Sequence, residues 1–280
     1  MQIARLLRPL AAAAGLTALA MFAAAPAGAA TAASSPTLAK MHTHPVILLP
    51  GNGTTGTTVH SSNWAGYVSL PTHPKGTFRF VSSSFTVPSV NCTTTPADSY
   101  SVHWVGLDGY NSGTVEQDGV ESDCTSGGPV YSAWWETYPG NSITPVFDLN
   151  AGDAVTASVY FKAASGSHHD QYNLVLTDVT SGQHFNLWES CGATSCKNHS
   201  AEVISEAPSS TSGILPLADY GVEHYANIAV TDKSAQRGGI SSSNWNHDKI
   251  IQSNGSGQTL ASPGSLVGGN AFSNTWKRES

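Results

Sequence analysis

The 280-residue chain is poor in charge: Asp, Glu, Lys and Arg make up only 11% of it. It has three methionines and four cysteines. Beyond residue 30 no apolar run approaches the ~18 residues that would span a membrane. No stretch of ordinary helix length carries an apolar period of 3.6. Common hydrolase signatures are missing too: there is no Gly-x-Ser-x-Gly elbow, no His-Glu-x-x-His helix and no pair of Asp-Thr-Gly loops. These absences set aside a membrane-embedded protein, a helical bundle and the commoner serine, zinc and aspartic hydrolases.

What is present begins with a leader. Arg5 and Arg8 precede an apolar run over residues 10–25, followed by Ala27-Gly28-Ala29. A basic start, a short apolar centre and a small-residue cleavage site predict a secretory signal over residues 1–29. The mature protein is then expected to be secreted and extracellular, with no membrane contact after cleavage. The full chain carries 12 Lys and Arg against 19 Asp and Glu. Without the two leader arginines the balance is −9, which argues against nucleic acid or an anionic membrane surface as partner. A surface of neutral Ser, Thr, Gly and Asn changes little when carboxylates are protonated, and so suits an acidic setting.

In a secreted chain four cysteines read as two disulfides. Three pairings are possible. We favour Cys92–Cys124 together with the short loop Cys191–Cys196, each stabilising by about 2–4 kcal/mol. The rival is a metal site in "CGATSCKNH" with His199, but its spacing matches no standard zinc pattern. Neither a metal nor a cofactor is expected.

Residues 30–60 are small, polar and turn-rich, and read as a linker or short pro-segment. From Ser61 short alternating runs recur between Gly, Asn, Asp, Ser and Pro. "FRFVSSSFTVPSV" (78–90) alternates around Phe78, Phe80, Phe85 and Val87. "DAVTASVYF" (153–161) puts Val155, Ala157, Val159 and Phe161 on one face. "YNLVLTDVTSGQHFNLW" (172–188) reads as strand, turn, strand, with Tyr172, Leu174 and Leu176 in step. "ANIAVTD" (226–232) is another short strand. Alternation of period two with frequent turn signals predicts one all-β domain over residues 61–280, a sandwich or a barrel. "SHHD" (167–170) sits in a Gly/Ser-rich stretch and reads as a solvated loop.

Chemistry-bearing residues concentrate in mid-chain. "SVHWVGLDG" (101–109) offers Trp104 and Asp108. "YSAWWETYPG" (131–140) offers Trp134, Glu136 and Tyr138. "SAEVISEAP" (200–208) offers Glu202 and Glu206. Strand parity sorts them: Trp134, Glu136 and Tyr138 share a face, as do Val115 with Gln117, and Glu202 with Ile204 and Glu206. Glu116 and Asp118 fall opposite Gln117. An amide, carboxyls and aromatic rings can thus converge on one concave surface, where partial desolvation suits a carboxyl to acid/base work. The plainer alternative is core rings and solvent-facing acids.

These segments resemble the glutamic peptidases, or eqolisins, and in particular a secreted, bacterial-type member. "SNWAGYV" (62–68) is similar to the family's opening Ser-Asn-Trp-x-Gly strand. "FTVPSV" (85–90) resembles its Val-Pro strand and "WVGLDG" (104–109) its Trp-Val-Gly-Ile-Asp-Gly. "GTVEQDG" (113–119) falls on Leu-Gln-x-Gly and "AWWETYP" (133–139) on Trp-x-Glu-Trp-Tyr-Pro. "AGDAVTASV" (151–159) resembles a Gly-Asp strand, "AEVISEAP" (201–208) Ala-Glu-Trp-Ile-x-Glu, and "LPLADYG" (215–221) a later segment. The order of the motifs, over about residues 61–277, carries the resemblance. Departures at Val203, Thr137 and Ser132 bear on subsite shape.

The resemblance implies an antiparallel β-sandwich of two large sheets with a concave substrate cleft. It implies a catalytic pair, which falls on Gln117 and Glu206, and a pro-segment, for which residues 30–60 are short. Free Glu titrates near pH 4.3, so near that pH one carboxyl can serve as base and then as acid. We assign Glu206 to water activation and then to protonation of the leaving amine. The resemblance implies instead a carboxyl that donates first, and the sequence leaves both orders open. The Gln117 amide is expected to donate to the oxyanion, and its charge state does not change with pH. Trp104, Asp108, Trp134 and Glu136 are expected to line the cleft, bind substrate and tune Glu206. The expected substrates are proteins or peptides, acted on by a monomer in acid. The alternatives are a carbohydrate-binding module, a glycosidase using Glu136 and Glu206, and a peptide binder that has lost activity.

Overall fold

The computed structural model describes residues 41–50, 57–95, 98–165 and 170–280. The leader, most of the expected linker and residues 167–169 of "SHHD" lie outside these ranges. The described residues form strands and turns, with no helix long and apolar enough to cross a membrane.

The first strands are β1 (Thr58–Ser61), β2 (Trp64–Leu70), β3 (Phe78–Thr86), β4 (Val102–Leu107), β5 (Val115–Thr125) and β6 (Gly128–Tyr138). Next come β7 (Thr144–Asp148), β8 (Ala154–Lys162), β9 (Gln171–Asp178), β10 (His184–Ser190), β11 (Ala201–Glu206) and β12 (Ser209–Ser210). The last are β13 (Gly213–Ile214), β14 (Val222–Asp232), β15 (Arg237–Gly238), β16 (Asn246–Ser253), β17 (Thr259–Pro263) and β18 (Phe272–Trp276).

Hydrogen-bonded neighbours run β10-β9-β8-β3-β14-β18-β17-β16-β2-β11-β4-β5-β6-β7. These ladders are antiparallel, and β1 joins β16 in parallel. The path turns back on itself at β14. Residues 222–225 of this strand pair with β18, and residues from Ala226 onward pair with β3. The register slips between Ala226 and Ala229, where Asn227 takes a left-handed φ of 53°. Such an irregularity sharpens local twist and lets one strand serve two layers.

Period-two alternation places the core. Val155, Ala157, Val159, Tyr172, Leu174 and Leu176 are buried in the main cluster, as the sequence predicts. They meet Val105, Leu107, Val120, Ala133 and Val203 from the facing layer. This is the two-layered antiparallel sandwich. At about 25 cal/mol per Å² of apolar area, burial of this kind is the main force holding the layers together.

The second face of the β2-β11-β4-β5-β6 layer is also covered. Trp64, Val68, Val102, Trp104, Val115, Trp134, Ile204 and Ile250 form a cluster there, with Met41 of the N-terminal segment packed among them. Cys92–Cys124 ties the segment before β4 to β5, and Cys191–Cys196 closes a five-residue step after β10. The sulfurs of "CGATSCKNH" are therefore bonded to each other.

Candidate active site

Three rows of paired residues build the site. Glu206 of β11 lies opposite Trp64 of β2 and Val102 of β4. Ile204 lies opposite Trp104, which lies opposite Gly119, which lies opposite Trp134. Gly106 lies opposite Gln117, which lies opposite Glu136. Residues paired across antiparallel strands point the same way. Gly106 is required here: a Cβ at this position would stand 2.8 Å from the Trp104 ring and 3.2 Å from the Gln117 Cβ. Its absence lets an indole and an amide lie side by side.

Glu206 is fully buried, and both its oxygens accept hydrogen bonds. Oε1 accepts from Asn63 Nδ2 at 3.0 Å and from the His44 backbone N–H at 3.0 Å. Oε2 accepts from Trp104 Nε1 at 3.1 Å. Burial drives its pKa well above the ordinary carboxyl value. The His44 and Asn63 donors oppose that rise, the nearby Glu136 adds to it, and the Trp104 donor opposes it.

Glu136 is equally buried. Its Oε2 accepts from the Thr43 backbone N–H at 3.0 Å and from the Thr43 hydroxyl at 2.6 Å, while its Oε1 meets His42 Nδ1 at 3.0 Å. Burial raises its pKa too, opposed by His42 and Thr43. The same contact with Glu136 raises His42, while burial and the neighbouring His42 lower His44. Gln117 Nε2 donates to the Thr43 hydroxyl and, at 3.4 Å, to Glu136 Oε2. Its carbonyl oxygen is buried without a partner among the described residues.

Of the residues singled out in the sequence, Gln117, Glu206, Trp104, Trp134 and Glu136 come to this face. Asp108 goes elsewhere. It follows β4 with a φ of 72°, and its carboxylate accepts the backbone N–H groups of Lys197, Asn198 and His199. It pins a loop instead of lining the cleft. Glu116 and Asp118 do lie opposite Gln117, but they are buried and not solvent-facing.

Sequence reasoning missed five neighbours. Asn63 and Trp64 stand in the quoted "SNWAGYV". The only signal for Asn63 was an amide placed just before an apolar strand. His42, Thr43 and His44 fell in the stretch read as linker. Trp64 donates through Nε1 to the His44 carbonyl at 2.9 Å and stacks edge-on to Trp104 with ring centroids 5.0 Å apart.

The arrangement offers a carboxyl able to take and return a proton, an amide N–H directed at Thr43, the neighbour of the residue whose N–H that carboxyl accepts, and a second carboxyl beside the amide. No metal is needed to write acid/base chemistry with these groups.

Comparison with known proteins bears on this geometry. The sequence profile of the Peptidase A4 family matches residues 62–273. No curated protein matches the chain by sequence. Among solved structures, scytalidoglutamic peptidase bound to a peptide-based transition-state analogue superposes with a TM-score of 0.62 at 21% identity, over 77% of this chain and 98% of that one. SCP-B, an eqolisin bound to the tripeptide Ala-Ile-His, gives 0.58 at 20% identity over 77% and 98%. Aspergilloglutamic peptidase from Aspergillus niger gives 0.52 at 20% identity over 64% of this chain and 100% of that one. At these identities the likeness speaks for the fold.

Proposed function

The chain belongs to the Peptidase A4 family and is a peptide hydrolase. From that premise we propose that it is a secreted, acid-acting glutamic endopeptidase whose working pair is Gln117 and Glu206. The observation that carries the reading is the placement of Thr43 and His44. Glu206 engages the N–H of one residue and Gln117 the side chain of the other, so the two groups reach neighbouring atoms of a single bound chain.

In the proposed reaction Glu206 takes a proton from water as the water oxygen attacks the scissile carbonyl carbon. Gln117 Nε2 donates to the oxygen as it gains charge. Glu206 then returns the proton to the amide nitrogen, the C–N bond breaks, and an acid and an amine leave. The burial that raises the Glu206 pKa helps it hold the proton between the two transfers. Glu136 aims the Gln117 amide, and Trp104 and Asn63 fix the Glu206 carboxyl. Secretion is supported by the basic-then-apolar leader and fits the two disulfides.

Cleavage of an unfolded protein between about pH 2 and 6, a range around the free Glu pKa, is the test. Gln117→Ala should lower kcat about 10²–10³-fold, the value of one oxyanion donor. Glu206→Gln should lower it at least as far, since it removes the proton carrier. Near-normal cleavage by either folded variant would overturn the assignment.

A further inference from the structure

The outer face of the other layer, across the main core from Gln117 and Glu206, gathers rings and cations. Val81, Val159 and Leu174 point into the core, so their neighbours Phe80, Tyr160 and Asn173 point outward. Pairing extends this row on both sides. Arg237, Thr231, Phe80, Tyr160, Asn173 and Trp188 lie opposite one another across β15, β14, β3, β8, β9 and β10. At about 4.8 Å between strands the row is about 24 Å long. Trp188, at its end, is 46% exposed. Arg79 turns onto the same row. Its Nη2 donates to the Tyr160 hydroxyl at 2.7 Å, and its guanidinium carbon lies 5.2 Å from the Tyr160 ring centroid. The Lys162 ammonium lies 5.5 Å from the Trp188 ring centroid. These are cation–π contacts. Grooves of about 400 and 330 Å³ flank Arg79 and Tyr160, which line both; Lys162 and Lys233 line the first, and Arg237 the second. No acid lines either groove. Residues 41–280 hold nine Lys and Arg, and four of them are these. None of the four forms an ion pair among the described residues. In a chain of net negative charge, such a cluster makes a local field that draws anions.

We propose that this face is an accessory binding surface for a uronate-bearing polysaccharide, laid along the row with its carboxylates on the cations and its sugar rings against Tyr160 and Trp188. The inference goes beyond the peptidase reading and does not rest on it. Charge complementarity selects an anion, since four unpaired cations gather where no acid does. The rings select what carries the charge. A pyranose has an apolar C–H face that packs on a phenol or an indole, and Tyr, Trp and Arg are the side chains that best anchor a binding surface. Spacing separates a sugar polymer from an acidic peptide. The Arg79 guanidinium lies over the fourth member of the row, three strands from Arg237, and the Lys162 ammonium over the sixth, two strands further. Those positions are about 10–14 Å apart. An extended peptide presents carboxylates on one face about every 7 Å, a closer set than these cations. A uronate polymer places C–H faces between its charges, as the row places rings between its cations. The main core separates this face from Gln117 and Glu206, so a bound polymer would tether the protein without reaching that site.

The experiment uses the full chain. A fluorescent oligogalacturonate is titrated with it at about pH 5.5, where carboxyls of pKa near 4 are ionised, with polarisation as readout. Unlabelled oligogalacturonate, neutral dextran and polyglutamate of matched charge serve as competitors. Oligogalacturonate should compete at least about tenfold better than polyglutamate, and dextran should not compete. Lys162→Gln combined with Arg237→Gln should weaken binding at least about tenfold, and Trp188→Ala at least about fivefold. Lys277→Gln combined with Arg278→Gln removes the same charge from residues that line neither groove, and should change binding less than about twofold. Trp188 and Lys162 are exposed, so these changes leave the core intact, and melting of each variant checks it. Absence of binding by wild type would overturn the proposal. Equal losses in the two charge pairs would overturn it too, by showing attraction to net charge alone. Polyglutamate competing as well as oligogalacturonate would assign the face to acidic peptides and overturn the sugar. Full binding by Trp188→Ala would remove the ring from the site and overturn the pose along the row.

Discussion

Two groups of buried acids in this molecule differ in what surrounds them. In the cleft all four oxygens of Glu136 and Glu206 accept hydrogen bonds. Away from that pair, Glu116, Asp118, Glu121, Asp123, Glu202 and Glu223 are just as buried, yet each keeps at least one oxygen without a partner among the described residues. The distinction therefore lies in donors and not in depth. Cleft acids sit among N–H groups that steady a charge, several of them on residues 42–44. The other acids have fewer donors, and burial favours their protonated form. One set is equipped to change its protonation during work, and the other is equipped to stay neutral.

The largest expected consequence concerns the fold. Burial raises the pKa of each of the six acids away from the cleft. The folded state then holds protons that the unfolded chain gives up above about pH 4. Their stabilising effect is complete below that pH and is lost as pH rises through the folded pKa values. His103 acts in the opposite sense: burial lowers it to about 3, so its contribution is present above its ordinary value and fades as pH falls toward about 3. Glu136, Glu206 and His42 are raised like the six, and His44 is lowered like His103, so the balance places the optimum in acid. The melting temperature should be more than about 10 °C higher near pH 4 than at neutral pH, given roughly 2–4 °C per kcal/mol for a domain of this size. Asp118→Asn should recover part of the loss at neutral pH. A melting temperature that rises toward pH 7 would break the comparison.

A smaller effect should follow from removing one donor in the cleft. Trp104→Phe keeps the ring but takes the N–H from Glu206 Oε2. A hydrogen bond to a charged group is worth about 1.5–3 kcal/mol, or about one to two pH units. That bond favours the ionised form, so its loss should move the acid limb of kcat/KM upward by about one unit, with a smaller change on the plateau. An unmoved profile would mean that the indole does not tune Glu206.

Much of this architecture was legible from alternation. Val155, Ala157 and Val159 on one face, or Trp134 and Glu136 opposite Trp135, need only the two-residue period and an apolar partner layer. The double role of β14 was not legible, because it depends on a register slip near Asn227 and not on pattern. Burial of Glu116 and Asp118 was not legible either, since a local pattern cannot report a second layer closing over a polar face. Gln117 and Glu206 stood out because parity and motif order converged on them. Thr43 and His44 did not, because a segment bound largely through backbone groups has little side-chain signature, and its stretch resembles a linker in composition.

The smallest effect on activity is expected at Asp108, which sharpens the comparison by crossing its two terms. Like Glu206, it is buried and well supplied: Oδ2 accepts from Lys197 and Asn198 at 2.7 Å, and Oδ1 from His199 at 2.9 Å. Unlike those on Glu206, these donors belong to a loop that the carboxylate itself holds in place. Asp108→Asn would leave one oxygen and turn an NH2 toward backbone N–H groups, at a cost of about 1–3 kcal/mol. Thermal melting should fall by several degrees while kcat changes less than about threefold, because Asp108 bonds to a loop and not to Gln117 or Glu206. A hundredfold loss of kcat in a folded variant would show that this loop reaches the chemistry. A loss confined to stability would make the source of the donors, whether one loop that the acid itself holds or several separate parts of the chain, the feature that separates a structural acid from a working one.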